Sequence, residues 1–339
     1  MTAFVARREL RLTQTVVAPA YQALAAESLL GLQAGERIEV RDLLYGLLLV
    51  SGNDAAVALA LASSGTEQAF VEEMNRVAER LGLERTSYAN PIGLDEEGNF
   101  SSARDLATLA ARLERDRLFR RIFDTAETTI QSGAMPRPLL NRNALVRTVP
   151  YVTGVKTGYT LGAANVLVGS AERDGVELIS VVLGAPTEPD RDAGTLALLD
   201  YGFSLYEQRT PVSRGDPLAE LAIEDRELEV ELAATEDLAV TLRRNQRVDV
   251  SVDAPRQARG PISKGERIGK AVVSVDGEQV ATVALAATRS AAAASLVERY
   301  DAVVPGPRAV AWLLAILALA LVFLGGLLLW DRHRLTATG

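Results

Sequence analysis

The chain has 339 residues, 48% of them apolar and 24% charged, which is material for about two packed domains and argues against general disorder. Lys and Arg total 36 against 44 Asp and Glu, a formal charge of −8, so nucleic acid is not expected as a partner, because phosphate binding needs clustered positive charge. There is no Cys and a single His, His333, which removes disulfide scaffolds, Cys nucleophiles and thiolate metal sites and leaves the chemistry to Ser, Lys, Tyr and carboxylates. No metal and no cofactor is expected.

In chain order, the first residues, MTAFVARRELRLTQ, have the pattern of a helix body with no capping residue ahead of it. They contain neither the long apolar core nor the small-residue cleavage site of a secretory signal. Helical patterns follow at 41–50, 54–62, 67–81, 102–119 and 190–206, with Ser102 to Asp105 forming a capping-box-like start. The runs 166–171 and 177–183 are strand-like and joined through Arg173-Asp174-Gly175, a hairpin signal. Residues 208–216, with Pro211 and Gly215, have the composition of a linker.

From about 218 to 288 the pattern becomes alternating, as in Leu228 to Leu232, Leu238 to Leu242 and Val248 to Val252, with a second hairpin signal at Asp276-Gly277. This is expected to be a small all-β domain. The last feature is an unbroken apolar stretch, 309–330, bounded by the only two Trp, Trp312 near its start and Trp330 at its end. As a helix it extends about 33 Å, enough to cross a bilayer core. Arg332 and Arg334 then place the C-terminal end in the cytoplasm and the preceding residues outside.

Two short motifs carry the chemistry. Ser51-Gly52-Asn53 interrupts an apolar helical region, and polar side chains buried there cost free energy unless they find partners. A plain helix break, with Asn53 or Asp54 capping the next helix, accounts for the same residues. The second motif is Lys156-Thr157-Gly158. Lys occurs only at Lys156, Lys264 and Lys270 in a chain that otherwise uses Arg, and Lys is the basic residue whose proton burial can remove. Its bland alternative is an ordinary edge strand.

An S-D-N-type motif followed by K-T-G belongs, with an upstream S-x-x-K, to β-lactamases and penicillin-binding proteins. The wider text resembles the D-alanyl-D-alanine carboxypeptidases, the low-molecular-mass penicillin-binding proteins. The resemblance runs through LLYGLLLVSGNDAA (43–56), YANPIGLD (88–95), FSSARDLA (100–107), GVKTGYT (154–160), LISVVLG (178–184) and PISKG (261–265). It implies an α/β (α+β) β-lactamase/transpeptidase-like domain at 1–207 and a small β-sandwich-like domain at 208–290. A membrane-proximal linker at 291–308, a transmembrane helix at 309–330 and a cytoplasmic tail at 331–339 complete the expected organisation.

The same resemblance implies a serine-type hydrolase that removes the terminal D-alanine from peptidoglycan stem peptides through an acyl-enzyme, with β-lactams as covalent inhibitors. Ser51 would relay protons towards the leaving group and Asn53 would position a lysine and the substrate backbone. Lys156 would supply positive charge, Thr157 a hydrogen bond to the substrate carboxylate, and the amide of Tyr159 one oxyanion-hole donor, with Gly158 between them. Arg191 is a further carboxylate-binding candidate, or equally a solvated arginine near a helix start.

One motif is absent: no S-x-x-K occurs in the 339 residues. In the resembled family the helix carrying it continues into a segment like Met1 to Ala6. The nucleophilic Ser and its Lys, with an export signal before them, are therefore expected ahead of Met1. A non-catalytic wall-binding relative and a β-lactamase-like hydrolase are the alternatives.

Overall fold

The structure, a computed structural model, describes residues 1–24, 27–303 and 308–336, with side chains described outside 300–303, 308–311 and 327–336. The chain forms two compact units, Met1–Gln208 and Arg209–Gly339.

The first unit opens with α1 (Thr2–Glu9), the helix expected there, followed by β1 (Thr15–Val17) and its antiparallel partner β2 (Arg37–Glu39). Next come α2 (Val40–Leu49), α3 (Asn53–Ser64) and α4 (Glu67–Arg80). Every residue of α3 from Asn53 to Ala60 is buried, as expected of a helix that is apolar and small on all faces. The pattern at 102–119 divides into α5 (Ala103–Leu113) and α6 (Arg117–Phe123). The break has a local cause: the Asp116 side chain accepts from the Leu118 amide at 2.8 Å and starts a new helix. Ser102 caps α5 as its sequence suggests, its hydroxyl accepting from the Asp105 amide.

A short hairpin, β3 (Glu127–Ile130) with β4 (Arg137–Leu140), leads through α7 (Ala144–Thr148) into three antiparallel strands. These are β5 (Val152–Thr160), β6 (Ala164–Arg173) and β7 (Val176–Ala185), in the order β5-β6-β7, before α8 (Glu188–Leu205). The expected hairpin joins β6 to β7 through Asp174 and Gly175, both at positive φ, the geometry of a two-residue turn that follows strand twist. Period-two alternation sends β6 and β7 side chains into two cores. Leu167, Ala171 and Val176 pack with Leu199 and Phe203 of α8, while Val168 and Ile179 pack against the helical core around Leu43, Leu59 and Phe123.

A buried ion pair fastens β2 to the β3–β4 hairpin. Arg137 donates from Nη1 and Nη2 to the two oxygens of Glu36 at 2.7 and 2.8 Å, and Glu36 also accepts from the amides of Ala134 and Gln33.

In the second unit the alternating pattern is β-structure throughout. Of the linker-like residues 208–216, 208–212 belong to β8 (Tyr206–Val212), which pairs with β11 (Leu238–Arg243), and 213–216 form the turn into the next strand. A strand replaces the expected linker because Pro211 lies in a two-stranded pairing, where one missing donor is tolerated. The remaining strands are β9 (Pro217–Ile223), β10 (Glu229–Ala234), β12 (Val248–Asp253), β13 (Gln257–Ala258), β14 (Arg267–Val275) and β15 (Glu278–Ala287). They form one sheet in the order β12-β14-β15-β10-β9-β13, with a core of Leu221, Val230, Leu232, Val273 and Leu285.

Two helices end the chain, α9 (Leu296–Val303) and α10 (Arg308–Thr336). Among the described residues no helix is long and apolar enough to cross a membrane. The stretch 309–330, expected to do so, lies in α10, and its two ends fall outside the described side chains.

Candidate active site

The Ser51-Gly52-Asn53 motif is the turn between α2 and α3. Gly52 is the N-cap of α3 and no side chain caps it, so neither Asn53 nor Asp54 plays the capping role. Ser51 sits at φ 60, a left-handed conformation that non-glycine residues rarely hold and that persists where the surroundings enforce it. Gly52 is required by a close approach: a Cβ there would lie 3.0 Å from the Leu30 amide nitrogen. The Asp54 carboxylate gathers this approaching loop, accepting from the amides of Leu30, Gly31 and Leu32 at 2.8, 2.8 and 2.9 Å.

Asn53 is buried and held twice by the same loop. Its amide donates to the Ser28 carbonyl at 2.9 Å, and its Nδ2 donates to Glu27 Oε2 at 2.9 Å. Glu27 Oε2 also accepts from the Tyr21 hydroxyl, and Oε1 from the Leu24 amide. Burial pushes the Glu27 carboxyl up, but the hydrogen bonds from Asn53, Tyr21 and Leu24 more than offset it and hold it below the ordinary value. The Tyr21 phenol is pushed up, by burial first and by the Glu27 carboxylate second.

Lys156, Thr157 and Gly158 lie on β5, an edge strand among the described residues, whose outer side carries the backbone groups that β6 does not pair. A Cβ on Gly158 would lie 2.8 Å from Val166 Cγ2 on β6. Lys156 Nζ donates to the Thr157 carbonyl at 2.8 Å. Desolvation, and then the charges of Arg142 and Arg191, lower its pKa from 10.5 to about 8. Tyr159 pairs with Asn165 in the ladder and its side chain is exposed.

The 141–143 loop ties the two motifs together. The Arg142 amide donates to the Leu49 carbonyl at 3.0 Å, at the end of α2, and Asn143 Nδ2 donates to the Gly154 carbonyl at 3.0 Å, two residues before Lys156. Arg142 itself is exposed and has no hydrogen-bonded or ion-paired side-chain partner among the described residues. Sequence reasoning passed over it. The available signal was the polar run Asn141-Arg142-Asn143 between apolar pairs.

Arg191 departs from the solvated alternative. It is buried at 3% exposure, and its Nε and Nη2 each lie 2.9 Å from Asp192 Oδ1. Its charge still reaches Lys156. The charges of Arg142 and Arg191 both reach Lys156 on β5, so its surroundings carry positive charge, an arrangement suited to a carboxylate.

Known proteins share this organisation. A family described as D-alanyl-D-alanine carboxypeptidase matches residues 1–187, and one described as penicillin-binding protein 5, C-terminal domain, matches residues 206–292. The chain is 35% identical over 261 residues to the D-alanyl-D-alanine carboxypeptidase DacF of Bacillus subtilis, covering 76% of this chain and 67% of that one. It is 35% identical over 266 residues to the carboxypeptidase DacC of Escherichia coli, covering 76% and 65%. The chain thus spans about two thirds of the length of these curated relatives. Among solved structures, penicillin-binding protein 5 of Haemophilus influenzae superposes with a TM-score of 0.60 at 31% identity, covering 85% of this chain and 87% of that one. On sequence, fold and the C-terminal β-domain together, the chain belongs to the D-alanyl-D-alanine carboxypeptidase family of peptidases.

Proposed function

We propose that this protein removes the C-terminal D-alanine from peptidoglycan stem peptides by acyl transfer to a serine. The observation that carries the reading is that the 141–143 loop ties the Ser51–Asn53 turn, at the end of α2, to the strand that carries Lys156, Thr157 and Gly158. A peptide laid along β5 as an added strand offers its terminal carboxylate to Lys156 and to Thr157. The Tyr159 amide then serves as an oxyanion donor, Asn53 meets the substrate backbone, and Ser51 passes a proton to the leaving amine. Water then hydrolyses the acyl-enzyme formed on the serine of the expected S-x-x-K, not on Ser51, and β-lactams acylate that same S-x-x-K serine.

The relay role of Ser51 comes from its place in the S-D-N-type motif, and the nucleophile and its base are assigned to an S-x-x-K that is not among the 339 residues. Labelled penicillin tests the assignment. A form that carries the expected upstream S-x-x-K should retain label through denaturation and release D-alanine from a D-Ala-D-Ala peptide. The 339-residue polypeptide should bind that peptide and retain no label. Label surviving denaturation on the 339 residues would make Ser51 the nucleophile and overturn the relay role. A second reading is a relative that binds wall peptides without cleaving them, and peptide binding without D-alanine release by the extended form would establish it.

Residues 309–330 are proposed to anchor the protein in the cell membrane as a single span, with both folded units on the outer face and 331–339 in the cytoplasm. The apolar run with Arg332 and Arg334 after it supports this. Protease added to intact spheroplasts should remove both units; full protection sinks the orientation.

A further inference from the structure

We propose that Asp95 is a positioning residue for the oxyanion donor: its carboxylate clamps the tip of the β5–β6 hairpin and so holds the backbone amide of Tyr159 where the anionic oxygen forms. The proposal deepens the functional reading above and rests on it. Tyr159 is the penultimate residue of β5, and β5 is paired with β6 alone, so its last residues lean on an exposed tip, Leu161 to Ala163. The Asp95 carboxylate reaches this tip from a different loop. Its Oδ2 accepts from the Gly162 amide at 2.9 Å, and the carboxylate also accepts from the hydroxyl of Thr160, the residue next to Tyr159. Thr160 Oγ1 accepts from the Ala163 amide at 2.9 Å, which leaves its own proton for Asp95. The Thr160 hydroxyl first, and the Gly162 amide second, hold the Asp95 carboxyl below its ordinary value although the group is exposed. The approach is close, since a Cβ on Gly162 would lie 3.0 Å from Asp95 Oδ1.

A clamp positions its target only if its own support is stiff. Asp95 ends the segment YANPIGLD (88–95), which connects α4 to α5 and is bonded along its length. The Asn75 side chain of α4 accepts from the Tyr88 amide and donates to the Tyr88 carbonyl, both at 2.8 Å. Asn90 Oδ1 accepts from the Gly93 amide at 2.7 Å, and the Leu94 carbonyl accepts from the side chains of Asn90 and Asn99 at 3.1 and 2.9 Å. At the start of α1, the buried Thr2 hydroxyl donates to the Pro91 carbonyl at 2.6 Å. One loop is therefore bonded to α1, the helix that the functional reading places after the nucleophile, and to the strand that carries the oxyanion donor. It fixes the separation of the two groups that act on the scissile carbonyl, where about 1 Å of misplacement costs up to about a hundredfold.

The test compares two ligands of the 339-residue chain by calorimetry. One is an N-acylated D-Ala-D-Ala dipeptide, whose scissile carbonyl is planar; the other is its analogue with an anionic, tetrahedral phosphonate in that place. Asp95→Ala should weaken the phosphonate about tenfold, part of the roughly hundredfold that a lost oxyanion donor costs, and the dipeptide less than about twofold. Asp95→Asn, whose Oδ1 accepts from Gly162 while its NH2 donates to Thr160, should restore most of the phosphonate affinity. Equal losses for the two ligands would make Asp95 a loop anchor only and overturn the proposal. A phosphonate affinity untouched by Asp95→Ala would overturn it too, as would a wild type that binds the dipeptide and not the phosphonate. Should Asp95→Ala fail to fold, Thr160→Val, which removes the hydroxyl contact, decides between the same outcomes. A wild-type chain that binds neither ligand brings down the functional reading and this proposal with it, whereas one that binds both and loses neither brings down the proposal alone.

Discussion

Replacement of Arg137 by alanine should lower the unfolding free energy by about 3–5 kcal/mol, because it strands a buried carboxylate without its cation. Glu36 is almost wholly buried, and its two oxygens are shared among Arg137 and the amides of Ala134 and Gln33. Burial pushes the Glu36 carboxyl up, yet the Arg137 guanidinium and the two amides hold it below its ordinary value. A carboxyl lowered by folding contributes stability above its unfolded pKa of about 4.3, and loses it as the pH falls through the lower folded value. The wild-type advantage over Arg137→Ala should therefore be full near neutral pH and shrink in acid, where the stranded Glu36 takes up a proton. Denaturant midpoints at neutral pH and near pH 3 check both statements. A variant within about 1 kcal/mol of wild type at neutral pH rejects the account.

The second large effect concerns the substrate. Lys156→Ala should cut acylation or peptide affinity by about ten- to a hundredfold, the equivalent of one charge-assisted contact. The pH dependence follows from the folded pKa of about 8. The ammonium carries its charge below that value and loses it above, so affinity for a carboxylate-ended peptide should fall as the pH rises through about 8. Lys156→Arg retains a charge that does not titrate in this range and should remove the alkaline fall, whatever it costs in fit. A wild-type affinity that is flat from pH 7 to 9.5 would place Lys156 away from the carboxylate.

Much of this architecture was legible because the signals were local. The apolar runs around Ser51 gave α2 and α3, Asp174-Gly175 gave the β6–β7 hairpin, and strict alternation gave the second unit. Where the reading failed, a weak local signal lost to a specific contact. Glu114-Arg115-Asp116 is compatible with a continuing helix, and only the Asp116 cap shows that it breaks. Residues 208–212 look like a linker until β11 pairs with them. Within the site, Ser51, Asn53 and Lys156-Thr157-Gly158 stood out as motifs, whereas Arg142 and Glu27 did not. Both are loop residues whose relevance depends on what lies across the fold, the Leu49 carbonyl in one case and the Asn53 amide in the other. No spacing rule connects residues brought together in that way.

The open edge of β5 has a consequence for solubility as well as for recognition. A strand able to accept a passing peptide is equally able to accept the same strand from another copy of the protein, the usual route to edge-to-edge aggregation. Here the residues that would draw a substrate also discourage that pairing. In an antiparallel self-pairing centred on Lys156 the two ammonium groups would face each other, and Gly154 and Gly158 offer no side chains to hold such a ladder together. Exchanging Lys156 for an uncharged residue therefore removes a gatekeeper along with a ligand, leaving a strand that is both less selective and more inclined to find itself.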